Sequence, residues 1–384
     1  MFPVQKVLEE RISMPTLEEH LNNNNGPKRI LALDGGGVRG MFSLGILSKI
    51  EELLANQWVK SAPNRSAQDF RLCDYFDLIA GTSTGAIIAA ALAKGMSVAE
   101  IVTEYTALLP IVFKKKGTGA KANTFLAPRY SRRSLLTKLD RIFGSTTTLR
   151  SDTIKTGLMI TAKRLDTGDV YIFHNNPNDI THSKAASPYR KSDYTLAKIV
   201  RASTAAPTYF APEHFPGRGT AVQTFVDGGV SPLNNPALGA FMVATIKGFG
   251  YEWANGENNL LLVSVGTGWS RTITTYTQKS ARAPKNILRG MIDSLINDSD
   301  WLGQGLLQWM SKTQTPFPVH SSMGDLVGES LCSRNLLTYL RYSAQLQAPL
   351  MKLDNPKNST ALYNEGVVIG GGVQKAHFPS VFDI

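Results

Sequence analysis

Apolar residues along this chain come in short runs divided by glycine-rich and polar turns, and the run lengths predict the elements. Residues 27–33 read as a strand, 75–80 are an apolar run of strand length, and 41–54 between them repeats apolar side chains at helical spacing. This is the opening of a β-α-β unit. Further along, 98–109 and 133–143 read as helices, while 158–162 and 170–173 alternate as strands joined by the turn Asp166-Thr167-Gly168-Asp169 into a hairpin. Residues 196–203 read as a helix, 224–226 as a short strand, and 259–265 as a buried strand ending in Gly266-Thr267-Gly268. Strands and helices in this order predict an α/β protein of three layers, with a mainly parallel sheet covered on both faces.

The span 269–328 has few strand signals and several helical ones, including 292–310 with Trp301 and Trp309, so a helical excursion or lid is expected there. Residues 1–26 are polar and end in an asparagine run, Asn22 to Asn25, and read as an extension outside one catalytic domain spanning 27–380.

Composition narrows the class. The 384 residues are 42% hydrophobic and 18% charged, as in a soluble globular protein with a sizeable core. The uncharged stretch 78–93 is too short and too rich in Gly, Ser and Thr to cross a bilayer, and 1–26 lacks the apolar centre of a signal peptide. Cys73 and Cys332 stand far apart without metal-ligand spacing, so neither a disulfide framework nor a zinc site is suggested. A cytoplasmic setting is expected.

The net charge of +11 implies attraction to something anionic, whether lipid headgroups, nucleotides or nucleic acid. The densest basic segment is Lys114-Lys115-Lys116 followed by Lys121, Arg129, Arg132 and Arg133, with Phe113, Phe125 and Leu126 interleaved. It reads either as a solvated loop or as a contact for an anionic lipid surface.

Candidate chemistry sits at the strand ends. Gly81-Thr82-Ser83-Thr84-Gly85 follows the strand 75–80 and precedes a small-residue helical run, 86–93. Such a strand, sharp turn and helix lift the Ser83 hydroxyl beside a helix N-terminus, with Gly81 and Gly85 removing Cβ atoms that would clash. The alternative is a Gly/Ser/Thr turn without chemistry. Asp34-Gly35-Gly36-Gly37-Val38-Arg39-Gly40 follows the first strand and opens the first helix, presenting backbone donors to an anion. Gly35, Gly37 and Gly40 satisfy the dinucleotide-binding spacing, but Asp34 would crowd a pyrophosphate, and Glu51 and Glu52 lie inside a helix rather than at a second strand's end. An oxyanion hole fits better. Arg39 either orders this loop or meets an anionic headgroup.

A serine nucleophile needs a base. Of the histidines, only His320 and His377 come late enough in the chain for a conventional triad order, and neither lies in a strand-end turn. Asp227-Gly228-Gly229 directly follows the strand 224–226, from which a carboxylate can reach a site at the sheet edge; by itself the motif reads equally as an aspartate in an ordinary turn.

Taken in order, the loop at Asp34, the turn at Ser83 and the Asp227-Gly228-Gly229 turn resemble the patatin-like phospholipase family. The blocks Arg201-Ala202-Ser203-Thr204-Ala205-Ala206-Pro207 with Tyr209-Phe210, and Ser264-Val265-Gly266-Thr267-Gly268, resemble that family too. The resemblance covers about 29–268 and implies a patatin-like α/β/α fold with lipid acyl hydrolysis by a serine-aspartate dyad. It makes Ser83 the nucleophile and Asp227 the base, with the N–H groups of Gly36 and Gly37, joined by Gly35 or Val38, holding the oxyanion. No metal and no cofactor are implied for the chemistry.

The chain is also similar to compact bacterial effectors of antiphage defence, phospholipases activated by a cyclic nucleotide. That similarity implies a cyclic oligonucleotide activator, a phospholipid substrate at the inner membrane surface, homo-oligomerisation on activation and no DNA or RNA partner. Two other readings stay open: an unregulated esterase or lipase, and a nucleotide-binding module using the glycine-rich loop.

Overall fold

The computed structural model describes residues 14–61, 66–114, 128–179, 194–216, 221–270, 300–319 and 324–383. Its frame is a sheet of β1 (Lys28–Leu33), β2 (Leu78–Thr82), β3 (Gly157–Arg164), β4 (Val170–His174), β5 (Glu213–Pro216), β6 (Val222–Asp227), β7 (Leu260–Val265), β8 (Ser311–Thr313) and β9 (Leu337–Tyr342). The order across the sheet is β5-β6-β3-β2-β1-β7-β9-β8, with β4 paired to β3. Parallel pairing links β3, β2, β1, β7, β9 and β8, whereas β4, β5 and β6 join antiparallel.

The central strands are buried on both faces, which is why they read as apolar runs rather than alternations. In β1, Leu31 and Leu33 face one core, while Ile30 and Ala32 face the other. The first core is closed by helices that include α2 (Gly40–Ser61), α4 (Thr84–Ala93), α5 (Val98–Val112), α6 (Arg132–Phe143), α7 (Leu196–Ser203) and α9 (Ser359–Gly370). The second is closed by α8 (Ala237–Thr245) with Leu307 and Met310. Two short helices, α1 (Leu17–Leu21) and α3 (Leu72–Tyr75), precede β1 and β2. The three-layer arrangement with a mostly parallel sheet is the one the sequence pattern predicts.

One detail of register positions everything that follows. β2 pairs with residues 157–161 of β3, and β4 pairs with 159–163, so these two strands lie on opposite edges of β3. β6 pairs antiparallel with 162–164, overlapping β4's partners, and therefore shares the edge that β2 has just vacated. β2 ends with Thr82 beside Thr161, and β6, running the other way, ends with Asp227 beside Ala162. The residue after Thr82 and the last residue of β6 thus meet head to head.

The expected excursion 269–328 is only partly covered, since 271–299 and 320–323 lie outside the described residues. Residues 300–309 are helical, as expected, but Ser311–Thr313 is an edge strand pairing with β9. Neither strand stands out in the pattern of apolar runs, although Leu337-Thr338-Tyr339-Leu340-Arg341-Tyr342 is rich in strand formers. Among the described residues, no helix is long and apolar enough to cross a membrane.

Candidate active site at the ends of β1, β2 and β6

Ser83 occupies a backbone conformation that side chains rarely adopt, φ 53° and ψ −119°, between β2 and α4. The turn is tight enough that a Cβ on Gly81 would run into the Gly85 carbonyl, and a Cβ on Gly85 into the Leu33 carbonyl at the end of β1. Only glycine fits at both positions. The strain, a cost on the order of 1–3 kcal/mol for a non-glycine residue, leaves Ser83 partly exposed in an otherwise buried turn.

The Ser83 hydroxyl donates to Asp227 Oδ2 at 2.6 Å. The other carboxylate oxygen, Oδ1, accepts the Gly229 N–H at 2.7 Å from the short 3-10 turn Gly228–Val230. Gly228 lies against Thr161 of β3, where a Cβ would meet the Thr161 carbonyl. Asp227 is buried, and burial pushes its carboxyl from the ordinary 3.8 up to about 6, against the opposing pull of Ser83, Gly229 and the charge of Arg201. A hydroxyl bonded to a buried carboxylate of raised proton affinity can pass its proton there when the oxygen attacks an electrophile.

The glycine-rich loop at the end of β1 flanks this pair. A Cβ at Gly35 would stand 3.3 Å from Ser83 Cβ. In a trans peptide the C=O and the following N–H point in opposite directions, so the carbonyl partners fix where the amides aim. The Gly35 carbonyl accepts from Thr267 Oγ1 at 3.0 Å, which turns the Gly36 N–H away from Thr267. The Gly36 carbonyl accepts the Arg39 N–H at 3.1 Å and Arg39 Nε at 3.4 Å, which turns the Gly37 N–H away from Arg39. The Gly37 carbonyl accepts from the Thr84 and Tyr105 hydroxyls at 2.7 and 2.8 Å, and the Val38 N–H accordingly points outward to the Leu353 carbonyl at 2.9 Å. Gly35 donates its own N–H to the Asn234 carbonyl at 3.0 Å.

Of the loop's amides, then, Gly35 and Val38 are committed elsewhere. The Gly36 and Gly37 N–H groups have no hydrogen-bond partner among the described residues. Gly37 has φ 57° and abuts Leu353, so it tolerates no side chain. Arg39 spans from the loop to the Gly268 carbonyl at 2.9 Å, a loop-ordering contact, and Gly40 opens α2 against Thr84.

Asp34 stays out of this chemistry. Arg341 of β9 grips its carboxylate with two bonds, 2.9 and 2.6 Å, and also reaches Ser264 Oγ at 2.7 Å and Asp300 at 3.4 Å. Burial opposes the Arg341 charge, but Asp34 and Asp300 more than offset it and keep the guanidinium protonated. Glu51, weighed above as a ribose-binding acid, instead caps α5 by accepting the Val98 N–H at 3.0 Å. His377 pairs with the Tyr342 hydroxyl at 3.0 Å, and His320 lies outside the described residues. Among the described residues, no histidine bonds to Ser83 or Asp227.

The basic segment divides. Lys114 is exposed after α5, whereas Lys115, Lys116, Lys121, Phe125 and Leu126 lie outside the described residues. Phe113 does not face outward as a lipid contact would. Its ring packs edge-on against Tyr130 at 5.3 Å and leans on Phe210, because the apolar face of α5 continues inward through it. Arg129 lies over the Tyr209 ring and pairs with Asp354 at 3.7 Å, while Arg132 pairs with the buried Glu213.

Comparison with known proteins gives a consistent picture. The profile described as patatin-like phospholipase matches residues 31–241. A cGAMP-activated phospholipase of Vibrio cholerae is 30% identical over 326 residues, covering 82% of this chain and 83% of the relative. A cGAMP-activated phospholipase of Escherichia coli is 31% identical over 241 residues, and the match spans 62% of each protein. Patatin-15 of Solanum tuberosum is 30% identical over 275 residues, 66% of this chain and 64% of that protein.

Proposed function

The chain belongs to the patatin-like phospholipase family, and from that membership we propose that it is a serine-aspartate acyl hydrolase cleaving ester bonds of membrane phospholipids. The observation that carries this reading is the 2.6 Å hydrogen bond from Ser83 Oγ to the buried Asp227 carboxylate. Asp227 takes the hydroxyl proton as Ser83 Oγ bonds to the acyl carbonyl carbon. The negative charge moves to the carbonyl oxygen, where the N–H groups of Gly36 and Gly37 receive it. Collapse of this adduct expels the alcohol, which leaves with the proton from Asp227. Water then attacks the acyl-serine, gives its proton to Asp227, and releases the fatty acid as Ser83 Oγ recovers a proton. A base pushed up to about 6 works closer to neutral pH than an ordinary aspartate does.

Control by a cyclic nucleotide is the second part of the proposal, and its support is the activity named for the Vibrio and Escherichia relatives. A ligand activates only by binding the active state more tightly than the resting one. Vesicle hydrolysis, measured for the wild type and Ser83→Ala with and without cGAMP, tests both parts. Loss of fatty-acid release in Ser83→Ala is expected, with wild-type release rising on addition of cGAMP. Retained release in Ser83→Ala would reject the dyad, and full release indifferent to cGAMP and other cyclic nucleotides would reject the gate.

A further inference from the structure

The backbone of Ser83 is held by a residue that the dyad chemistry leaves without a task. Its N–H donates to the side-chain oxygen of Ser203 at 2.8 Å. Ser203 is the last residue of α7 and is fully buried. Just past it, the Ala205 carbonyl accepts the N–H of Asp227 at 3.1 Å. One short turn therefore grips the main chain of both partners of the Ser83–Asp227 hydrogen bond. The turn is itself braced: Thr204 Oγ1 donates to the Arg201 carbonyl at 3.1 Å, and Arg201 Nη2 donates to the Ala211 carbonyl at 2.8 Å.

A side-chain oxygen is an unusual acceptor for this amide. In a strand the N–H would go to a neighbouring carbonyl, but the pairing of β2 with β3 ends at Thr82, one residue before Ser83. With its fully buried acceptor gone, the part-buried Ser83 N–H would be left unpaired, and the Thr82–Ser83 peptide would turn to find another partner, carrying Oγ away from Asp227.

We infer that Ser203 is a positioning residue: its hydroxyl oxygen fixes the Ser83 backbone so that Oγ meets Asp227, with Ala205 setting the depth of the carboxylate. The inference rests on the dyad reading above. Misplacing a reacting group by about 1 Å costs on the order of 100-fold in rate. Ser203→Ala is therefore expected to lower kcat per active site by about 100-fold, leave KM nearly unchanged, and move the pH at which the rate rises upward, because Asp227 loses the Ser83 hydrogen bond that holds its carboxyl down.

The test measures ester hydrolysis by purified full-length protein, with active sites counted by a fluorophosphonate probe and folding followed by thermal unfolding. Ser203→Thr restores an oxygen at the same position and is expected to recover most of the rate. A merely structural role would lower the count of active sites and leave the rate per site intact. Wild-type kcat per site in folded Ser203→Ala would overturn the inference, as would a loss that Ser203→Thr, itself folded, leaves uncorrected. Should Ser203→Ala fail to fold, Ser203→Cys, which fills the space with a weak acceptor, decides on the same terms. Ser83→Ala run alongside separates the two levels: hydrolysis persisting there sinks the dyad reading itself, whatever Ser203 does.

Discussion

Replacing Asp227 by asparagine should yield a protein that is more stable and far less active, with the stability gain growing from about pH 4 and complete above about pH 6. The carboxyl rises from 3.8 to about 6 because it is buried, a gap equivalent to about 3 kcal/mol. Between those pH values the folded chain holds a proton that the unfolded chain has lost. Stability of the wild type therefore falls as pH rises from about 4 through about 6, and stays lower above that. Asparagine fits the same contacts without a charge: its Oδ1 accepts the Gly229 N–H, and its Nδ2 donates to Ser83 Oγ, which turns from donor to acceptor. At pH 8 Asp227→Asn is accordingly expected to gain up to about 3 kcal/mol, or a rise of about 4 °C at roughly 1.2 °C per kcal/mol in a chain of this size. Near pH 4 the two proteins should unfold together. Thermal unfolding across pH 4 to 8, read beside ester hydrolysis, checks both halves. A variant equally or less stable than wild type at pH 8, or one whose advantage persists undiminished at pH 4, would refute the burial argument.

Ester hydrolysis by the wild type should rise with pH through about 6 as Asp227 ionises in the free enzyme, and a kcat/KM profile flat from pH 5 to 7 would exclude it as the base. Gly36→Ala should cost on the order of 100-fold or more in turnover, with weaker effects on vesicle binding, because the new methyl collides with Thr267 and displaces one of the two amides proposed to hold the oxyanion; raised KM with normal kcat would assign the loop to substrate binding. Ser83→Gly should unfold at higher temperature than Ser83→Ala, since φ 53° suits glycine, and equal melting would show that the turn stores no strain. Neutralising Lys114, Lys115 and Lys116 together should weaken binding to anionic vesicles at low salt, and unchanged binding would make this run a solvated loop.

Much of this site was legible because glycines and strand ends leave marks in a sequence. The Ser83 turn stood out since Gly81 and Gly85 are forced by the contact of β2, α4 and β1. The layers followed from apolar run lengths. What could not be read was direction: the strand formers Thr224, Phe225 and Val226 before Asp227 mark a strand, but nothing in 224–226 says that it runs antiparallel to β3. The division of labour among the loop amides was equally hidden, because Leu353 and Asn234 are distant in sequence and carry no motif of their own, and Thr267 showed only as part of a family-like block. Ser203 was visible only as part of a family-like block, since a buried serine at a helix end looks the same whether it caps, packs or receives a distant amide.

The head-to-head ending of β2 and β6 on β3 makes two adjacent residues of one strand, Thr161 and Ala162, the ruler for a pair separated by 144 positions in the chain. Length added between those positions is absorbed in the connections, where doubling a flexible loop costs only about 0.6 kcal/mol. Length added or removed within β3 at that point would shift one reactive group against the other by a full strand residue, about 3.3 Å. The fold can therefore accept insertions in the connections between these strands while the Ser83 and Asp227 side chains keep their distance, so what surrounds the pair can change without moving the pair itself.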